Sequence, residues 1–170
     1  MFNNLEHDIQ AYKQTYYAKN NKNIIFKNTQ KFDCAREISS HFSIETLLES
    51  SVYIIPNSNF IYIDYTLVKH YLCPDNYNIS HKYFIQLHEE ILKTYSHFNI
   101  CADLKSLTLT AIHRYMDLGK KVCALYLHSN KQSKQIDQIH IRNPPSFLQT
   151  AIKLFSPFIS HDTLAKIRLV

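Results

Sequence analysis

The sequence holds one glycine in 170 residues. A Walker loop or a dinucleotide fingerprint needs several glycines within a few positions, so both are excluded. A Gly-x-Ser-x-Gly elbow and a cysteine–arginine phosphate loop are absent too, which leaves nucleophilic catalysis without a candidate. Turns must instead be built by Asn, Asp, Ser and Pro, as in Pro56-Asn57-Ser58-Asn59 and Pro74-Asp75-Asn76. No apolar run approaches the ~20 residues that span a bilayer. The opening MFNNLEHD is polar and acidic, unlike a signal peptide, so a cytosol-like compartment is expected. Cys34, Cys73, Cys101 and Cys123 are widely separated and form no CxxC pair, which argues against a zinc knuckle or a disulfide framework. They read as four buried free thiols.

What is present is an apolar fraction of 45%, ordinary for one globular domain, with 12 Tyr and 10 Phe. Ten His invite a metal reading, but no HExxH or His-x3-His spacing occurs. His88, on an apolar helix face, reads as a core-edge residue, and no metal or cofactor is expected. Asp64 and Asp103 sit at strand ends, where sheet enzymes place carboxylates; without a third acid they read as caps or ion-pair partners. The net charge of +5 is uneven: +3 over residues 1–31, −4 over 32–119 and +6 over 120–170. The basic C-terminal third suits anionic lipid head groups or nucleic acid, or is a solvated face.

Hydrophobic periodicity predicts a helix over 3–19, with Leu5, Ile9, Tyr12 and Tyr16 on one stripe. A loop or short strand at 20–28, a helix over 31–40 and a short helix capped by Ser43 follow. Residues 52–55 and 60–66 read as a hairpin, 81–96 as a helix capped by Ser80, and 98–104 as a strand. Residues 108–129 keep a helical period, in which Gly119 either admits a close neighbour or splits the stretch. The C-terminal segment then runs through a strand over 138–142, ended by Pro144-Pro145 with Asn143 held extended. A helix capped by Ser146, a turn at Pro157, cap chemistry at Ser160–Thr163 and a strand through Ile167 and Leu169 complete it. Strand, helix and strand make a βαβ unit, so the expected class is α/β: a mixed, largely parallel sheet covered by helices.

Three stretches in this order resemble the CRAL-TRIO domain, the lipid-binding module of cellular retinaldehyde-binding and phosphatidylinositol-transfer proteins. The strand Asn99-Ile100-Cys101-Ala102-Asp103-Leu104-Lys105 is similar to the family's apolar strand ending in Asp. Ile139-His140-Ile141-Arg142-Asn143-Pro144-Pro145, with Phe147, is similar to its strand, Asn, small residue and Pro. Leu154-Phe155-Ser156-Pro157-Phe158-Ile159, then Thr163 and Lys166-Ile167, is similar to its helix, Pro-Phe-Leu turn and closing strand. The resemblance covers residues 52–170, with 1–50 as a short helical N-terminal region packed on that domain. It implies a helix-backed sheet around a cavity for one lipid-like molecule. The N-terminal region is shorter than the family's and the sequence ends directly after the closing strand. The cavity is thus expected to be shallow, open or filled by its own aromatic side chains.

The expected function is non-enzymatic binding of a lipid or other hydrophobic ligand, or of a phosphoinositide-bearing membrane surface met peripherally. Phe147, Phe155 and Phe158 would line or close the pocket. Lys120, Lys121, Arg142, Lys153, Lys166 and Arg168 are the candidates for head-group contacts. The alternative is a protein-interaction module, including a self-associating homodimer, that kept the fold and lost the cavity; nucleic-acid binding ranks last.

Overall fold

The computed structural model describes residues 2–22, 25–127 and 134–170. The N-terminal part is helical: α1 (Phe2–Asn20), α2 (Lys27–His41) and α3 (Ile44–Ser51). β1 (Val52–Ile54) and β2 (Phe60–Asp64) form the expected hairpin, with Asn57 at φ 57° in its turn. α4 (Tyr65–Tyr71) follows at once, because the Asp64 carboxylate accepts from the Thr66 amide at 2.7 Å. Asp64 is therefore a cap. The strand reading of residues 65 and 66 is corrected by that cap, and α4 itself was not foreseen.

α5 (Tyr77–Leu92) begins one turn earlier than Ser80. The 3₁₀ turn Pro74–Asn76 starts it, with the Asn76 side chain accepting from the Cys73 amide and donating to the Tyr71 carbonyl. Ser80 lies inside the helix, and its hydroxyl is buried without a partner among the described residues. Ser43 precedes α3, but its hydroxyl donates to Glu45 and makes no cap bond. After β3 (Phe98–Asp103) the long predicted helix is two, α6 (Leu109–Arg114) and α7 (Met116–Val122), then a π turn over Cys123–Leu127. The break falls at Tyr115, whose hydroxyl donates to the carbonyls of Lys69 and Leu72 at 3.4 and 3.2 Å. Residues 128–129 of that prediction and 131–133 of the connector lie outside the described residues, as do 23 and 24 of the first loop.

β4 (Ile136–Arg142), α8 (Leu148–Phe155), a 3₁₀ turn at Ser156–Phe158, α9 (His161–Leu164) and β5 (Ile167–Leu169) complete the chain. Ser160 caps α9 through the Thr163 amide. Ser146 does not cap α8, whose first residue follows Phe147 without a side-chain cap. Asn143 is not extended: its φ is 49°, and its amide donates twice to the Asp103 carboxylate at 2.9 and 3.0 Å.

The sheet order is β1-β2-β3-β4-β5, with only β1–β2 antiparallel. The register stacks five isoleucines in one row: Ile54, Ile61, Ile100, Ile139 and Ile167. That face packs on α5 through Phe84, Leu87 and Ile91, with Ile61, Phe98 and Ile136 fully buried. At ~1.5–3 kcal/mol per buried side chain, this cluster is a main source of stability. A second cluster, Ile9, Tyr16, Ile38, Leu47, Leu48, Leu67 and Tyr71, binds α1–α3 to α4.

Candidate functional site

The predicted site residues fall into separate places. Phe155 on α8 reaches α7 at Gly119, where an added Cβ would lie 2.7 Å from the Phe155 ring. Gly119 therefore serves close approach and not a helix break. Lys120 lies over the Phe158 ring at 5.8 Å from its centroid, while Lys121 and Lys153 are exposed on α7 and α8. Phe147, Phe155 and Phe158 are each half-buried. Lys166 donates to the Ile136 carbonyl at 2.6 Å, at one end of β4, and Arg142 is exposed at the other. Those ends are about 20 Å apart, so no single head group touches both. Arg168 donates to the carbonyls of Ala165 and Ile167. The structure thus joins α7 and α8 but disperses the basic residues meant to accompany them.

The apolar face of the sheet is only partly covered. The sheet's principal helix neighbours, α3, α4 and α5, lie against β1, β2 and β3. Over β4 and β5 the apolar side chains Ile141 and Ile167 stay half-buried, Leu169 is 48% exposed, and Leu154 of α8 is 44% exposed. Between α5 and the centre of the sheet, side chains fill the interior.

The opposite face of the sheet is polar and aromatic. Tyr53 and Tyr62 rings lie 5.4 Å apart, and Phe60 meets His140 at 5.3 Å. Burial, then the Asp103 charge, pushes the Tyr62 hydroxyl up to about 12. Burial pushes Asp103 upward, but the bonds from Asn143 and the Lys105 amide outweigh it and hold its carboxyl below the usual range. All four cysteines are buried free thiols, and burial raises Cys34 and Cys123 to about 11. No cluster of three or more His, Cys, Asp or Glu side chains that could hold a metal occurs among the described residues. No described helix is long and apolar enough to cross a membrane.

A cavity of about 240 Å³ was not foreseen; it lies where α1 and α2 meet α4 and α6. Lys13, Lys31, Lys69 and Arg114 line it together with the Tyr65 and Thr108 side chains. His70 is buried in its wall, accepting from Lys13 Nζ at Nδ1 (3.1 Å). The other ring nitrogen, Nε2, lies 3.2 Å from the Gln10 side-chain nitrogen Nε2. Burial and the neighbouring Lys13 and Lys69 charges push the His70 pKa down to about 3, so the ring is neutral. Burial likewise lowers Lys13, Lys31 and Lys69, and repulsion from Arg114 adds to it at Lys13 and Lys31. Sequence position offered one signal: Lys69 and Arg114 each follow a strand in a largely parallel sheet, at the carboxyl end where such sheets bind ligands.

A helix-backed, mostly parallel sheet with this strand order defines an α/β domain, and comparison places it further. The family model for the CRAL/TRIO domain matches residues 75–170, so the chain belongs to that family. Among solved structures it is similar to that titled "Crystal structure of Sfh5", with a TM-score of 0.60 and 17% identity. The match covers 97% of this chain and 62% of that one, so the chain spans less than two thirds of that relative. No curated protein matches the sequence.

Proposed function

We propose that the domain binds one lipid or other hydrophobic molecule without catalysis, on the β4–β5 side of the sheet beneath α7 and α8. The division into residues 1–50 packed on 52–170 belongs to the same reading. The observation that carries it is the incomplete cover of the apolar face toward β5: Ile136 and Ile139 are buried, but Ile141 and Ile167 stay half-buried and Leu169 is 48% exposed. Each methylene buried there contributes about 0.8 kcal/mol, so a short acyl stretch suffices for retention. Phe147, Phe155 and Phe158 are the closing aromatics in this reading, and Lys120, Lys121 and Lys153 are the cations able to meet a head group. Peripheral contact of a cytosolic protein with a membrane has its own support: Ile25 and Phe26 are 84% and 65% exposed, close to Lys22 and Lys27 in sequence.

Native mass spectrometry of protein purified from cells tests the ligand. One lipid-sized adduct per chain is expected, and Phe155→Asp should lose it. A bare mass, with or without a dimer peak, would instead favour the interaction module. Sedimentation with anionic vesicles tests the membrane contact, and Ile25→Ser with Phe26→Ser should weaken it several-fold.

A further inference from the structure

The cavity between the N-terminal helices and the sheet end is chemically unlike the lipid side. Four cations from four separate elements converge on it: Lys13 of α1, Lys31 of α2, Lys69 of α4 and Arg114 of α6. No carboxylate lines it, and among the described residues none of the four is in an ion pair. The carboxylates acting on Lys69 are Glu6 and Asp64, and Asp64 is already engaged by the Thr66 amide. Arg114 Nε is fully buried and has no hydrogen-bond partner among the described residues. A guanidinium N–H left unbonded away from water is costly, and it marks Arg114 as a donor short of an acceptor. Burial together with like-charge neighbours disfavours the charged state of Lys13 and Lys31, and a bound anion would reverse that.

We propose that this cavity is an oxyanion site taking a phosphate-class group, which bridges α1 and α2 to α4 and α6. The Arg114 guanidinium offers planar donors to two oxygens, while Lys31 and Lys69 act as point charges. The Tyr65 and Thr108 hydroxyls supply neutral donors at the wall. At about 240 Å³ the volume is roughly eight times a water's ~30 Å³ share, room for a phosphate group with a few waters and too little for a lipid body. The site stands whether or not a lipid occupies the β4–β5 side.

The test titrates the purified chain with inorganic phosphate, and separately with pyrophosphate, at constant ionic strength, reading calorimetric binding and thermal midpoint. One equivalent should bind, and the midpoint should rise. Arg114→Gln and Lys69→Gln should each weaken binding at least tenfold, while Lys82→Gln, an equal change of charge at an exposed position of α5, should not. Without phosphate the two cavity variants should match or exceed the parent in thermal midpoint, since each removes a repelling charge; a merely structural role would lower it. A second arm uses vesicles carrying phosphatidylinositol 4-phosphate against plain phosphatidylcholine. Vesicle binding lost in Arg114→Gln identifies the source as a lipid head group; soluble binding alone identifies a free anion. No binding in either arm, or binding indifferent to both cavity substitutions, overturns the proposal.

Discussion

Asn143 shows how a single residue ends a strand. Two prolines after it already forbid further ladder bonds, but its left-handed φ of 49° is set by a carboxylate 40 residues away. Asn143→Ala should cost about 1–2 kcal/mol, combining the backbone penalty with the lost bonds to Asp103. Chemical denaturation checks it, and Asn143→Gly should recover part of the loss. The sequence announced the stop through Pro144-Pro145, but the turn depends on a distant partner and no local pattern carries it. Tyr71 makes a similar point from inside the core. Its hydroxyl donates to Ser51 at 2.6 Å, and Ser51 in turn donates to the Leu47 carbonyl at 2.7 Å. Tyr71→Phe should therefore lower stability by about 1 kcal/mol without changing the fold, measurable as a shifted urea midpoint.

Among elements, the contact of α7 with α8 is the most exposed to test. Gly119 lies inside α7, where Ala would gain up to ~1 kcal/mol of helix propensity. Against that, its Cβ would press on the Phe155 ring edge. In the parent chain the two effects should nearly cancel. In a Phe155→Ala background the full gain of about 1 kcal/mol should appear, and the double-mutant cycle measures the difference. Elements with strong periodicity, such as α1, α5 and the strands, could be read from residue order within a turn or so. Breaks between them could not. The split at Tyr115 comes from hydroxyl bonds to α4 carbonyls, and α4 itself was hidden because Tyr65 and Thr66 continue a β-like run past Asp64.

For the molecule as a whole, the basic cavity was legible only in that Lys69 and Arg114 follow parallel strands: its cations stand at positions 13, 31, 69 and 114, and the packing of four helices unites them. The cavity wall also fixes an acid response. His70 is 4% exposed, with a folded pKa near 3, well below the ~6.5 of an unfolded chain. As pH falls below ~6.5 the unfolded chain takes up this proton and the folded one does not, so stability is complete above that point and declines beneath it. The slope from this group should be about 1.4 kcal/mol per pH unit, seen between pH 6.5 and 5 before carboxylates titrate. His70→Gln should flatten that part of the curve. Denaturant midpoints at pH 7.5 and 5 give the comparison.

The strictly sequential strand order has a consequence for biosynthesis. A nascent chain leaving the ribosome lays β2 beside β1, then β3, β4 and β5 each against a neighbour already in place. No slot must be held open for a latecomer. The hairpin and its helical supports can form a template while the carboxyl-terminal strands are still being translated.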